Sequence, residues 1–221
     1  MQTMLSHTGK GMRLAAGILA AAGIGLTAEP GALTNPADPF WKQPAPAIYR
    51  VRVETSRGEF TMEVHRDWAP IGADRFYNLV RAGFYDDSRF FRVTERFSQF
   101  GIAGAPAVAQ VWRDVTIADD PVTHSNIRGT FAFAMTGPHA RTTQIYICKQ
   151  DMTAQDAQGF APLGEIVSGM ETVDALNAEY GENAGGGMRG GKQGRIFAEG
   201  NTHLDRDFPR LERLQRARVV K

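Results

Sequence analysis

The chain has 221 residues, 43% of them hydrophobic and 22% charged, which suits one ordinary domain with a full core and excludes disorder throughout. Its 25 basic and 24 acidic residues nearly cancel, so no global field draws in nucleic acid or an anionic membrane, and a partner must be recognised locally. The single cysteine, Cys148, excludes an internal disulfide framework and a cysteine-rich zinc site. Within Ile145-Tyr146-Ile147-Cys148 it reads as a buried, inert thiol on a strand.

Lys10 and Arg13 precede an uncharged apolar run from Leu14 to Ala28, and Leu26-Thr27-Ala28 offers a small residue before a cut. That order is the pattern of an export signal, and the run falls short of the ~20 residues a spanning helix needs. Residues 1–28 are therefore expected to be a signal peptide. Its cleavage would leave no stable membrane insertion and would place the product in a periplasm or outside the cell. Residues 29–47 carry Pro30, Pro36, Pro39, Pro44 and Pro46, which favour an extended tether. The folded domain is expected over residues 48–204, with 205–221 as a C-terminal tail.

From Tyr49 the residues alternate, Ser56-Arg57-Gly58 supplies a turn, and Glu59 to Val64 alternate again, as in a β-hairpin. Pro70 opens a helical stretch in which Phe76, Leu79 and Val80 share a face, and Gly83 closes it. Short apolar runs follow at Phe90–Val93, Thr130–Met135, Gln144–Cys148 and Leu163–Val167, separated by Gly and Pro, which point to a sandwich or barrel. A second amphipathic helix is expected from Met170 to Glu179, with Val173, Ala175 and Leu176 on its apolar side.

The chain lacks a His-Glu-x-x-His helix, a Gly-x-Ser-x-Gly elbow and paired cysteines, which disfavours hydrolase and metalloenzyme readings. Its five histidines lack ligand spacing, and no metal or cofactor is expected. Asp86-Asp87 and Asp119-Asp120 read as solvated turn carboxylates. Gly186 to Lys192 has the spacing of a phosphate-binding loop, but Gln193 replaces the required hydroxyl residue, so a surface loop is expected.

The informative residues are Phe90-Phe91-Arg92-Val93, Phe97-Ser98-Gln99-Phe100-Gly101, Met135-Thr136-Gly137-Pro138 and Thr142-Thr143-Gln144-Ile145-Tyr146-Ile147. With the hairpin, Ala82-Gly83-Phe84-Tyr85-Asp86 and Gly164-Glu165-Ile166-Val167, they resemble the cyclophilin-type peptidyl-prolyl isomerases in order from Tyr49 to Leu176. Gly194-Arg195-Ile196, Glu199-Gly200-Asn201 and Phe208-Pro209 resemble the C-terminal extension of a longer subgroup.

The resemblance implies a mainly β fold, a closed eight-stranded antiparallel barrel capped by two α-helices, with a groove on its outer face. It implies isomerisation of X-Pro bonds, with Arg92 and Gln99 as catalytic residues. Phe97, Ser98, Ala134, Met135, Gln144, Tyr146, Gln155 and Phe160 are implied to bind substrate. The expected partners are proline-containing peptides or unfolded client proteins, met by a monomer. A weakly active or inactive peptide-binding module is the alternative. A purely structural barrel would require Arg92 in an ion pair and the groove filled by the protein's own side chains.

Two departures bear on the pocket. The interval from Arg92 to Gln99 is one residue shorter than the family's, so either a deletion sits near Ser98 or Phe100 occupies the glutamine position. Ser98 falls where a methionine is usual, which implies a shallower proline pocket. Glu95-Arg96 replaces the common Pro-Gly turn.

Overall fold

The structure, a computed structural model, describes Met1, residues 31–186 and residues 191–220. The apolar run assigned to an export signal lies outside the described residues, as do positions 187–190 of the Gly186–Lys192 near-match.

Strands β1 (Ile48–Thr55) and β2 (Gly58–His65) form the hairpin that the alternation implied, paired in register from Ile48 with His65 to Thr55 with Gly58. Val51, Val53, Phe60, Met62 and Val64 point inward and are essentially inaccessible to solvent. Helix α1 (Pro70–Arg81) begins at its proline, and Gly83 follows at φ 71°, a left-handed conformation that glycine adopts without a Cβ clash. The ring of Phe76 enters the core against Phe131 and Tyr85, with centroids 5.9 and 5.6 Å away.

Strands β3 (Ser88–Arg89), β4 (Arg92–Val93), β5 (Phe97–Phe100), β6 (Thr130–Phe133), β7 (Ile145–Cys148), β8 (Pro162–Ser168) and β9 (Arg213–Val220) complete one antiparallel sheet. Its order is β3-β9-β1-β2-β8-β6-β7-β5-β4. The two outermost strands, β3 and β4, are consecutive in the chain and separated only by Phe90-Phe91. Two intervening residues reach roughly 10 Å at most, so the sheet must curl until its edges face each other. Phe90 fills the seam, its ring 6.5 Å from Phe60 on β2 and 5.3 Å from Phe100 on β5. The mainly β antiparallel fold is the one expected, but the described residues form it as a curled sheet of nine strands rather than eight, its edges joined by the chain itself.

Five α-helices rather than two occur among the described residues: α1, α2 (Pro106–Trp112), α3 (Met170–Asp174), α4 (Gly194–Glu199) and α5 (Asn201–Asp207). The helix expected to run to Glu179 stops after Asp174; of its expected apolar residues, Val173 reaches the core from the helix and Leu176 from just beyond its end. No helix among the described residues is long and apolar enough to cross a membrane.

Both ends of the domain extend beyond the expected boundaries. Residues 31–46 are not an extended tether. Two 3-10 turns, Ala32–Thr34 and Pro39–Lys42, fold back onto α1 and α2. Phe40 is buried, the Trp41 ring packs edge-on against Trp112 at 4.6 Å, and Trp112 Nε1 donates to the Leu33 carbonyl at 2.7 Å. Asn78 Nδ2 donates to the carbonyls of Trp41 and Gln43, so the prolines shape a packed strap. The supposed tail holds the end of α5 and all of β9, which lies inside the sheet between β3 and β1. Its inward residues are Leu214 and Ala217, with Gln215 and Arg216 exposed between them, a spacing that breaks the alternation of a regular strand.

Asp120 corrects the reading of solvated turn carboxylates. It is buried, accepts hydrogen bonds from the Ile71 and Gly72 amides at the start of α1, and pairs with Arg141 at 2.9 Å. Asp86 is held by Arg218 at 2.6 Å.

Candidate active site

Strands β4, β5 and β7 place the site. A two-residue turn, Glu95-Arg96, joins β4 to β5, with the Thr94 amide donating to the Phe97 carbonyl at 2.9 Å. This turn sets Arg92 directly opposite Gln99 and Val93 opposite Ser98. On the other edge of β5, Gln99 faces Tyr146 of β7. Side chains alternate along β5, so Phe97 and Gln99 share the outer groove face while Ser98 and Phe100 point into the barrel.

That alternation settles the spacing problem. Gln99 holds the groove position, Phe100 is core, and the shortened interval is taken up before Phe97, in the turn. Ser98 does not line the groove: it is fully buried on the opposite face, paired with core residue Ile147. Its Oγ finds no partner among the described residues. The assignment of Ser98 to the proline pocket is therefore corrected, because one residue along a strand changes the face.

At the exit of β5, Gly101 takes φ 109°, and a Cβ there would lie 2.5 Å from the Thr143 carbonyl oxygen. The close crossing lets Thr143 Oγ1 donate to the Gly101 carbonyl at 2.7 Å. It brings Gln144, the next residue, alongside Gln99.

Arg92, Gln99, Phe97, Ala134, Met135, Gln144, Tyr146, Gln155 and Phe160 all line one open groove of about 570 Å³. It has two unlike ends. The apolar end is built from Phe97, Ala134, Tyr146, Met152 and Phe160. Tyr146 meets Phe97 and Phe160 edge-on, with centroids 6.3 and 5.7 Å away. Its hydroxyl donates to Asn126 Oδ1 at 2.5 Å. Asn126 Nδ2 in turn donates to the Phe160 carbonyl and to Asp156, at 2.8 and 2.7 Å. Burial pushes the Tyr146 phenol well above its ordinary pKa, so it stays a neutral donor. Beneath this end, burial pushes the Cys148 thiol up to about 11, which keeps it protonated and unreactive near neutral pH.

At the polar end, Arg92 Nε donates to Glu182 Oε1 at 2.8 Å, and Nη2 lies 2.8 Å from the same oxygen. Arg92 Nη1 donates to Gln99 Oε1 at 3.1 Å, and the guanidinium carbon sits 4.7 Å from the centre of the Phe97 ring. Gln99 Nε2 donates to Gln144 Oε1 at 2.8 Å, and Gln144 Nε2 to Gln193 Oε1 at 2.9 Å. The purely structural alternative set two conditions. Arg92 is ion-paired, but the groove is open.

Glu182, Asn126, Asp156 and Met152 are not singled out in the sequence, and Gln193 is notable there only as a departure from a phosphate-binding loop. A lone carboxylate in the glycine-rich stretch Gly181–Gly186 was the one visible signal. The others act through particular contacts between residues 8 to 49 positions apart, such as Gln193 with Gly185 and Gln144, and Asn126 with Tyr146.

The family model described as cyclophilin type peptidyl-prolyl cis-trans isomerase/CLD matches residues 50–192. A peptidyl-prolyl cis-trans isomerase of Acinetobacter baylyi is 30% identical over 137 residues, covering 57% of this chain and 70% of the relative. Peptidyl-prolyl cis-trans isomerase B of Escherichia coli is 30% identical over 135 residues, covering 57% of this chain and 82% of the relative. In fold, the chain is similar to a cyclophilin type isomerase of Cryptosporidium parvum, with TM-score 0.57 at 14% identity, covering 79% of this chain and 98% of that one. A second crystal structure of that protein, obtained in the presence of the dipeptide Ala-Pro, gives TM-score 0.56 at 14% identity, covering 78% of this chain and 99% of that one.

The chain belongs to the cyclophilin-type peptidyl-prolyl cis-trans isomerase family.

Proposed function

We propose that the groove binds a proline-containing peptide with the prolyl ring at the Phe97–Tyr146–Phe160 end, and that Arg92 accelerates rotation about the preceding bond. The carrying observation is the Arg92 guanidinium, fixed by Glu182 and Gln99, at the mouth of an apolar pocket. The dipeptide Ala-Pro, in whose presence a Cryptosporidium relative was crystallised, has the same chemistry as the peptide proposed here.

Rotation about X-Pro must cross a barrier near ~20 kcal/mol, because amide resonance is lost as the nitrogen becomes pyramidal. The nitrogen lone pair then becomes a stronger acceptor. A permanently charged guanidinium N–H hydrogen-bonds it more strongly than it does the planar amide, which is preferential binding of the transition state. Lowering the barrier by ~7 kcal/mol gives about a 10⁵-fold rate gain with no covalent step. Glu182 engages Nε and one N–H of Nη2, and Gln99 one N–H of Nη1, which leaves one N–H on each terminal nitrogen for substrate. Gln144, Met135 and Ala134 line the path of the peptide backbone, and Gln155 lines the same groove.

A protease-free proline-isomerisation assay on the purified protein tests this reading. Acceleration above the uncatalysed rate is expected, and its absence would overturn the proposal. The client proteins are exported, unfolded chains met by a monomer, a reading supported by the basic-then-apolar order of residues 10–28. Recovery of the protein outside the cytoplasm with its amino terminus near residue 29, as a monomer in solution, is the expected result.

A further inference from the structure

Gln193 lies one residue beyond the segment matched by the family model and immediately before α4. It is buried, and both atoms of its amide are engaged: Oε1 accepts from Gln144, and Nε2 donates to the Gly185 carbonyl at 3.1 Å. It therefore ends a chain of hydrogen bonds that starts at Arg92 and passes through Gln99 and Gln144.

The two ends of that chain fix its direction. A guanidinium can only donate and a backbone carbonyl can only accept, whereas each glutamine amide can present either atom to a neighbour. With Arg92 donating at one end and Gly185 accepting at the other, each of the three amides has one orientation that satisfies both neighbours. Reversing any one of them sets N–H against N–H or oxygen against oxygen. Glu182, three residues before Gly185, holds the other edge of the same guanidinium. One short stretch of chain thus grips Arg92 directly and, through Gln193, indirectly.

We infer that Gln193 is a positioning residue: held on the Gly185 carbonyl, it presents an acceptor to Gln144, and so keeps the Gln99 oxygen turned toward Arg92 and the guanidinium aimed at the prolyl nitrogen. This rests on the reading of Arg92 proposed above. Without an acceptor at position 193, Gln144 and then Gln99 are free to reverse, and Arg92 loses a defined acceptor.

The experiment compares Gln193→Leu, Gln193→Glu and Arg92→Ala in the full chain by isomerisation kinetics, with thermal melts alongside. Gln193→Leu is expected to lower kcat about tenfold with KM changed less than twofold, as loss of a transition-state interaction does. A glutamate can still accept from Gln144 but cannot donate to Gly185, so Gln193→Glu should recover most of that loss, to roughly threefold below the parent. A merely structural role makes the opposite prediction, because a carboxylate facing a carbonyl is no better tolerated than leucine.

If Arg92→Ala is inactive while Gln193→Leu keeps full activity, or if both Gln193 variants lose activity in step with their melting temperatures, this inference fails and the Arg92 reading stands. If Arg92→Ala keeps full activity, both fail. Should Gln193→Leu not fold, side-chain amide NMR on the parent protein decides. Three resolved, slowly exchanging glutamine NH₂ pairs with a Gln144–Gln193 contact support the chain, and averaged signals overturn it.

Discussion

The two ends of the groove are held in place by different physics. The apolar end is made by alternation on neighbouring strands, with Tyr146 on β7 and Phe97 on β5 projecting from the same face, and Phe160 packed edge-on against them. Aromatic contacts of this kind are weakly directional, and the pocket keeps its character when a ring shifts by a few tenths of an ångström. The polar end depends on donor and acceptor identity. Arg92, Gln99, Gln144, Gln193 and Glu182 come from four separate stretches of chain and work only if each hydrogen bond has the correct sense. Shape can be supplied by almost any well-packed strand face, whereas direction requires named atoms at fixed places.

The sharpest test of that contrast is Arg92→Ala. Removing a charged donor aimed at the transition state costs on the order of 10²–10³ in rate, and the loss should fall on kcat in steady-state isomerisation kinetics. Phe160→Ala attacks the other end. It removes buried apolar surface worth about 1.5–3 kcal/mol, so peptide KM should rise at least tenfold while kcat holds. Equal losses in kcat for the two variants would abolish the distinction.

A smaller effect is expected for Asn126→Ala, because Asn126 braces the apolar end from behind. Its loss strands the Tyr146 hydroxyl and the Phe160 carbonyl, at a cost of about 1–3 kcal/mol in a denaturant titration, with weaker peptide binding. The smallest effect concerns acid. Burial acts to raise the Asp156 carboxyl, but hydrogen bonds from Ser125 and Asn126 outweigh it and hold the pKa below the ordinary aspartate value. A depressed pKa contributes stability above the unfolded-state value and loses it as pH falls through the folded-state value. Below about pH 4 the parent should therefore lose melting temperature faster than Asp156→Asn, with peptide affinity falling in parallel.

The resemblance carried most of the site because its residues sit on regular strands. Nine of the ten residues it assigned line the groove, and the exception, Ser98, failed by a single step. The turn Glu95-Arg96 absorbs the missing residue, and only the cross-strand pairing of Arg92 with Gln99 shows where the register resumes. The strap at residues 31–46 was hidden by its prolines. They exclude regular structure, but packing against α1 and α2 depends on Phe40 and its neighbour Trp41 meeting Trp112, which lies far along the chain.

By itself, the sequence determined the local elements: the β1–β2 hairpin through alternation and a turn, α1 through Pro70 and Gly83, and the buried Cys148 strand. These follow from side-chain periodicity and from backbone freedom at single residues. Tertiary structure alone decided that β9 enters the sheet, that Asp120 is buried beneath α1, and that Glu182 and Gln193 reach Arg92 and Gln144. Those outcomes depend on which distant groups meet across the curled sheet, and hydrogen-bond partners separated by 49 or 90 positions leave no periodic trace in the chain.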